Sequence, residues 1–358
     1  METELIDLGG EFCRGVEKGA ALIRAGEVVA FPTETVYGLG ADALNEKAVL
    51  KIFAAKGRPA DNPLIVHVSD PAQVPRLARV TNQAKALMNA FWPGPMTVIL
   101  EKTDVVPKTV TAGLPTVAIR MPDNAGALAL IRESRTPIAA PSANASGRPS
   151  PTSAAHVMAD MAGKIPLVLD GGPCKWGLES TVLTLCGEPT VLRPGAVTPE
   201  MLQKVIGKVR ISPAALSPLK SGETAASPGM KYTHYAPKAK VYMASGERGL
   251  MKESAAALYD ECSRLRKNPV ILCSGQTSAF YGERDCDIIG DMTAPETFCA
   301  ALFAALRKAD ETGRDAVVLE ALPADSFGLA YMNRALRAAG FRVCASPEDA
   351  RSLVEEQN

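Results

Sequence analysis

The residues best suited to chemistry crowd into one stretch, FPTETVYGLGADALNEKAVLKIFAAKGRPADNPLIVHV, from Phe31 to Val68. Lys56 and Arg58 bracket Gly57, and Asp61-Asn62-Pro63 turns the chain into an apolar run a few residues later. Two cations beside exposed backbone donors, on short loops between rigid elements, form a setting for an anionic, phosphate-bearing ligand. The elements that must hold them are readable. A strand over 28–31 runs into Pro32, then a polar corner Thr33-Glu34-Thr35 and a double-glycine turn at Gly38 and Gly40. Asn45 is placed to cap a helix over 46–56, and Gly57 stands where a left-handed stop belongs.

A second loop follows the strand expected at 137–140: PSANASGRPSPTSAAHV. Ser142 and Asn144 leave the strand end, Ser146-Gly147-Arg148-Pro149 turns, and Thr152 or Ser153 caps the next helix. A helix start beside hydroxyls suits phosphate or carboxylate, although a polar turn with a cap has the same composition. Further on, Asp170-Gly171-Gly172-Pro173 leads to Ser180 at a strand mouth, and Arg193 closes the hairpin of 181–185 with 190–193.

Strand parity adds to this. Leu64, Val66 and Val68 share one face, leaving Ile65, His67 and Ser69 on the other. Likewise Val117, Ile119 and Met121 oppose Thr116, Ala118 and Arg120. From alternation alone the ordinary expectation is a half-solvated sheet.

Several chemistries are excluded. Gly38-Leu39-Gly40-Ala41-Asp42-Ala43 has the G-x-G-x-x-A form, but Pro32 and the TETVY corner separate it from its strand, and the helix opens only after Asn45. No nicotinamide site is expected there. No P-loop and no G-x-S-x-G elbow occurs, and no cysteine stands in a nucleophile motif. Chemistry by positioning and charge, without a covalent enzyme intermediate, is the reading that remains.

The totals agree. The chain has 358 residues, 47% of them hydrophobic, enough for about two domains with normal cores. Thirty-nine basic residues balance 39 acidic ones, so a broad nucleic-acid or membrane surface is not expected. Eight scattered cysteines without a CxxC pair, and no apolar leader or long apolar run, fit a reduced cytoplasmic protein. Three histidines make an all-protein zinc site improbable, and nothing points to a flavin.

Alternating strands and helices assign residues 1–208 to an α/β domain on a mixed, twisted sheet. A Ser/Pro-rich linker follows over 209–238, with Ser-Pro at 212, 217 and 227, ending in PGMKYTHYAP. A small parallel α/β domain occupies 239–358, with stripes Leu258, Cys262, Leu265 and Phe298, Leu302, Ala305, Ala309 marking two helices. The tether's tyrosines, histidine and lysine exceed what a passive spacer needs. It reads either as docked on its own domain or as a ligand-contacting lid.

Taken together, FPTETVYGLG, the K-x-R pair Lys56 and Arg58, the S-x-N pair Ser142 and Asn144, PGMKYTHYAP and the carboxy-terminal GLAYMNRALRAA resemble the threonylcarbamoyl-adenylate synthase family in its long, two-domain form. The resemblance covers nearly the whole chain; Thr233 stands where many members carry a basic residue. It implies a YrdC-like domain with a twisted mixed sheet and a basic cleft, plus a smaller Rossmann-like carboxy-terminal domain. It also implies a reaction: L-threonine, bicarbonate and ATP give L-threonylcarbamoyl-AMP and pyrophosphate. That product goes to a tRNA threonylcarbamoyl transferase complex, for N6-threonylcarbamoyladenosine at tRNA position 37. Mg²⁺ would come with the ATP phosphates, with no metal ligands from the protein. Carried over by position, Lys56 and Arg58 are catalytic. Arg58, Asn62, Thr116, Asn144, Thr152, Arg193, His234 and Tyr235 bind ATP; Thr35, His67, Arg120, Ser142 and Ser180 hold threonine. Any tRNA contact would be weak. The competing readings are a non-catalytic double-stranded RNA-binding module and another ATP-dependent carbamoyl transferase.

Overall fold

The computed structural model describes residues 1–218 and 235–355, and the chain divides into two compact units. The first comprises Met1–Ser146 with Ser150–Ala215; the second is built mainly from residues after 235.

The first unit is built on one sheet. Its strands are β1 (Glu4–Asp7), β2 (Val29–Phe31), β3 (Gly38–Asp42), β4 (Ile65–His67), β5 (Met96–Glu101), β6 (Thr116–Arg120), β7 (Ile138–Ala140), β8 (Leu167–Asp170), β9 (Thr181–Thr184), β10 (Thr190–Arg193) and β11 (Arg210–Ile211). They lie in the order β1-β8-β2-β3-β7-β4-β6-β5-β9-β10-β11, with parallel and antiparallel neighbours mixed. The helices form where their caps are. The Asn45 carboxamide accepts from Ala48 N at 3.3 Å, and Gly57 closes the helix Glu46–Lys56 at φ 62°. Ser153, not Thr152, caps Ala154–Met161, and Thr198 caps Pro199–Ile206 with proline at its first position.

One local expectation is overturned. Gly38 and Gly40 do not make a turn: they lie in β3, paired antiparallel with both β2 and β7. A Cβ at Gly40 would stand 2.6 Å from Ile138 Cγ2 and 2.7 Å from Phe31 Cε1. Glycine is needed there because neighbouring strands' side chains cross over the backbone, a close-approach role inside a strand. The short edge strands β1 and β11 carry too few residues to show a period. The first unit continues through β11, parallel to β10, and on to Ala215, inside the stretch read as tether. Within that stretch, 219–234 lie outside the described residues.

The second unit adds β12 (Lys240–Ala244), β13 (Pro269–Ser274), β14 (Cys286–Gly290), β15 (Ala316–Glu320) and β16 (Val343–Cys344) in the order β14-β13-β15-β12-β16, all parallel. Helices Arg248–Arg264, Glu296–Glu311 and Ser326–Ala338 alternate with them. Phe298, Leu302, Ala305 and Ala309 are buried as their spacing requires.

Gly40→Ala should destabilise the protein by about 1–3 kcal/mol, the usual cost of overpacking a filled site. Urea denaturation showing an unchanged midpoint would mean that β2 and β7 yield freely at this point.

Candidate functional site

Three strands put the polar residues in one row. In register, His67 of β4 and Thr97 of β5 flank Arg120 of β6 on either side. The apolar parity partners Val66, Val98, Val117 and Ile119 enter the main core; Ile65, Ile99, Ala118 and Val182 form a small apolar patch on the face that carries the row. His67, Arg120 and Thr97 are all buried. The polar stripe is therefore not a half-solvated face, as alternation alone suggested, but a recessed floor.

Arg120 is the centre of that floor. Its Nη1 donates to Thr35 Oγ1 at 2.9 Å and its Nε to the Gly94 carbonyl at 3.3 Å. Its Nη2 stands 2.7 Å from Glu34 Oε1, and both side chains are about 95% buried. That contact is an ion pair without hydrogen-bond alignment, so neither Glu34 oxygen accepts a directed bond. Thr33 Oγ1 bonds Thr35 Oγ1 at 2.9 Å and the Val36 carbonyl at 2.6 Å, which fixes the corner. His67 lies edge-on to Phe31, with ring centroids 6.0 Å apart, and its Nδ1 is buried without a partner. Burial, and secondarily the Arg120 charge, push its pKa down to about 3, so the ring is neutral at physiological pH.

The row continues sideways. Thr97 Oγ1 and Ser180 Oγ are 2.8 Å apart, and Arg193 reaches the Ser180 carbonyl through Nε at 3.1 Å and Ser180 Oγ through Nη2 at 3.2 Å. Thr35, His67, Arg120, Ser180 and Arg193, selected from separate sequence segments, are thus joined through direct bonds and strand register.

A second group forms around Lys56. Its ammonium donates to the carbonyls of Ser142 and Asn144, the latter at 2.6 Å, and lies 3.3 Å from Asn144 Oδ1. Ser142 Oγ donates to the same Oδ1 at 2.6 Å. Lys56 is buried, so it acts first as the clamp of the S-x-N loop, which its position at a helix end did not reveal. Arg58 Nη2 holds the Asn62 carbonyl at 3.3 Å. The Asn62 carboxamide is fully buried, yet both its oxygen and its nitrogen lack partners. Such a group is costly unless something completes it. The two groups meet through the FPTETVYGLG segment, because Ala143 N donates to the Tyr37 carbonyl at 2.8 Å and Gly38 bridges Ser142.

Other expected residues lie further out. Thr116 begins β6, on the face of Arg120 but four residues away, opposite Glu101. Thr152 Oγ1 stands 3.3 Å from His156 Nδ1 at the neighbouring helix start. His234 lies outside the described residues. Tyr235 is buried in the second unit, stacked on Phe303 with centroids 5.0 Å apart. Sequence reasoning passed over Glu34 and Thr97. Glu34 was visible as the charge inside the TET corner, and Thr97 as the polar residue sharing Ile99's parity. Among the described residues no group of three or more His, Cys, Asp or Glu could hold a metal ion, and no helix is long and apolar enough to cross a membrane.

Comparison with known proteins gives a consistent picture. The Sua5/YciO/YrdC family model, described as telomere recombination, matches residues 21–195. The model for the carboxy-terminal domain of threonylcarbamoyl-AMP synthase matches residues 197–340. Threonylcarbamoyl-AMP synthase of Pyrococcus abyssi is 48% identical over 326 residues, 90% of this chain and 94% of the relative. That of Bacillus subtilis is 47% identical, covering 92% and 94%. Among solved structures, P. abyssi Sua5 complexed with L-threonine superposes with a TM-score of 0.88 at 45% identity, covering 96% of this chain and 99% of that one.

The buried neutral imidazole has a consequence for stability. With a folded pKa of about 3 against roughly 6.5 unfolded, the unfolded chain binds the extra proton between those values. Stability contributed by neutral His67 is complete above pH 6.5 and falls as the pH drops toward 3. Between pH 7.5 and 5 the wild type should lose about 2 kcal/mol more than His67→Gln in urea titrations. Equal losses would mean that the imidazole is free to charge in place.

Proposed function

The chain belongs to the threonylcarbamoyl-AMP synthase family and makes L-threonylcarbamoyl-AMP, the first step of tRNA N6-threonylcarbamoyladenosine formation, and we propose that the Arg120 row takes L-threonine while the Lys56–Arg58 side takes ATP. It is an enzyme of the nucleotidyltransferase type, which sets aside the reading as a non-catalytic RNA-binding module.

The observation that carries the assignment is the buried guanidinium of Arg120, flanked by neutral His67 and bonded to Thr35. A planar cation of this kind clamps a carboxylate, and a relative of 45% identity is known complexed with L-threonine. Thr35, His67, Ser142 and Ser180 supply the remaining contacts for threonine's hydroxyl and amine. The Asn62 carboxamide, buried with its bonding capacity unmet, suits a nucleotide group, as do Arg58, Asn144 and Arg193. Thr116, Thr152, His234 and Tyr235 complete the ATP set in this proposal. Mg²⁺ would be carried on the ATP phosphates, bicarbonate is the carbon donor, the product passes to a tRNA threonylcarbamoyl transferase complex, and the setting is cytoplasmic.

In chemical terms, the threonine nitrogen is first carboxylated. A carbamate oxygen then attacks the α-phosphorus and pyrophosphate leaves. Charge gathers on phosphate oxygens in the transition state, and fixed cations stabilise it without reorganising. Lys56 serves twice, through its charge and by setting the loop that presents Ser142 and Asn144.

Arg58→Ala should cut pyrophosphate release by about 10²-fold with the fold intact, as for loss of a transition-state charge partner. Lys56→Ala should lose at least as much and also about 1–3 kcal/mol of stability, because buried carbonyls lose their donor. Near-wild-type turnover by Arg58→Ala would remove it from the ATP side. His234→Ala combined with Tyr235→Ala should raise the ATP concentration needed for half-maximal rate and leave that for threonine unchanged; a shift in threonine alone would move the tether to the other substrate.

A further inference from the structure

We propose that Glu34 receives the α-ammonium of threonine and accepts the proton this group must lose before it is carboxylated. The inference rests on the assignment of threonine's carboxylate to Arg120.

The geometry is specific. Glu34 is buried at 6% exposure in a corner fixed by Thr33 and Thr35, and its backbone carbonyl accepts from Trp176 N at 2.9 Å. Its Oε1 stands 2.7 Å from Arg120 Nη2, yet neither carboxylate oxygen accepts a directed hydrogen bond. An ionised carboxylate has about four acceptor positions, so nearly all of this one's capacity is unmet inside the protein. Burying such a group is costly unless a donor arrives. Other carboxylates of the described structure contrast with this. Glu320, for instance, is fully buried but accepts from Ser274 N, Thr277 Oγ1 and Tyr281 OH.

Charge balance identifies the donor. The groups facing Glu34 are Arg120 from β6 and Cys174 from the loop after β8; His67 from β4 flanks Arg120, whose Nη1 donates to Thr35. Burial pushes the Cys174 thiol up to about 12 and the His67 ring down to about 3, so both are neutral near pH 7. At this end of the floor Glu34 and Arg120 then form one negative and one positive charge, with Arg193 lying beyond Thr97 and Ser180. Without Glu34 this end would be a net cation that favours any hydroxy acid. With Glu34 it is neutral and dipolar, which matches a zwitterion whose carboxylate meets Arg120 and whose ammonium meets Glu34.

The same contact places the proton acceptor for the first chemical step. The ammonium N–H bond breaks, its electron pair stays on nitrogen, and the proton passes to a Glu34 oxygen. The free amine attacks the bicarbonate carbon: the N–C bond forms, a second N–H bond breaks, and its proton joins the hydroxyl that leaves as one C–O bond breaks, giving the carbamate anion and water. Glu34, now neutral, no longer repels a substrate that carries both a carboxylate and a carbamate. It returns its proton to solvent before the next turnover. A positioned carboxylate acting in this way is worth about 10²–10⁴-fold in rate.

The test uses the full chain and compares threonine with 3-hydroxybutyrate, which keeps the carboxylate and hydroxyl but lacks the amine. Calorimetry should show wild type binding threonine at least about tenfold tighter, as expected for a charge-assisted contact. Glu34→Gln should close most of that gap, and Glu34→Asp should preserve part of it. At saturating threonine, Glu34→Gln should make adenylate about 10²-fold more slowly near pH 7. The ratio of its rate to the wild-type rate, which cancels bicarbonate's own titration, should rise up to about tenfold per pH unit as free amine accumulates. Equal wild-type affinity for the two ligands overturns the proposal, even if Glu34→Gln cannot be folded. An equal loss of both ligands in Glu34→Gln, or a pH-independent rate ratio, also overturns it and leaves Glu34 as a brace for Arg120. Failure of the underlying assignment reads differently: Arg120→Ala would then bind threonine as well as wild type does.

Discussion

The first unit is organised around the need to bury a guanidinium. Arg120 stands in an interior position of a sheet, where its neighbours on the other face are core valines and isoleucines. Removing a charge of this size from water costs several kcal/mol, which close polar and charged partners must offset. The corner Thr33-Glu34-Thr35 provides one full countercharge and one hydroxyl, and the Gly94 carbonyl provides a third contact. Thr33 in turn holds Thr35, so the corner's shape follows from the arginine's demands. Removing one partner of such a pair strands the other, a loss of about 3–5 kcal/mol. The pair is therefore a constraint on the sequence before it is a tool for catalysis.

Lys56 repeats this logic with carbonyls in place of a carboxylate. A lysine at the end of a helix is usually solvated, with its charge set favourably against the helix dipole. Here the ammonium is turned inward onto the Ser142 and Asn144 carbonyls, so the S-x-N loop takes its path from it. Two of the partners of Lys56 are thus backbone carbonyls, whereas Arg120 faces a carboxylate.

Much of this was legible in the sequence, and the failures have physical reasons. Parity placed His67 and Arg120 each on the polar stripe of its own strand, because side chains alternate with a period of two, while the register that brings them side by side is seen only in the fold. Asn45 and Gly57 marked helix ends because caps are local chemistry. Gly38 and Gly40 misled, since two glycines near a proline normally mean a turn. Only the side chains of Phe31 and Ile138 crossing β3 show that glycine is there for space. The edge strands β1, β11 and β16 are too short to carry a pattern. Lys56 was singled out for its charge, but its burial depends on a loop some 86 residues further along the chain.

Glu34 shows where local reading ends. On sequence it is one polar residue between two threonines, and nothing separates a solvated corner from a buried one. Its meaning depends on β6 passing beneath it, and that register is fixed by β4 and β5 on either side. Once the register is known, the chemistry is constrained from several directions. The ring beside Arg120 must be neutral because it is buried; the thiol beside Glu34 must be neutral for the same reason. With these two neighbours neutral, the Glu34 carboxylate and the Arg120 guanidinium set the field at this end of the row. Selectivity for an amine-bearing substrate then follows from the pairing of Glu34 with Arg120, set beside the apolar cluster of Ile65, Ile99, Ala118 and Val182.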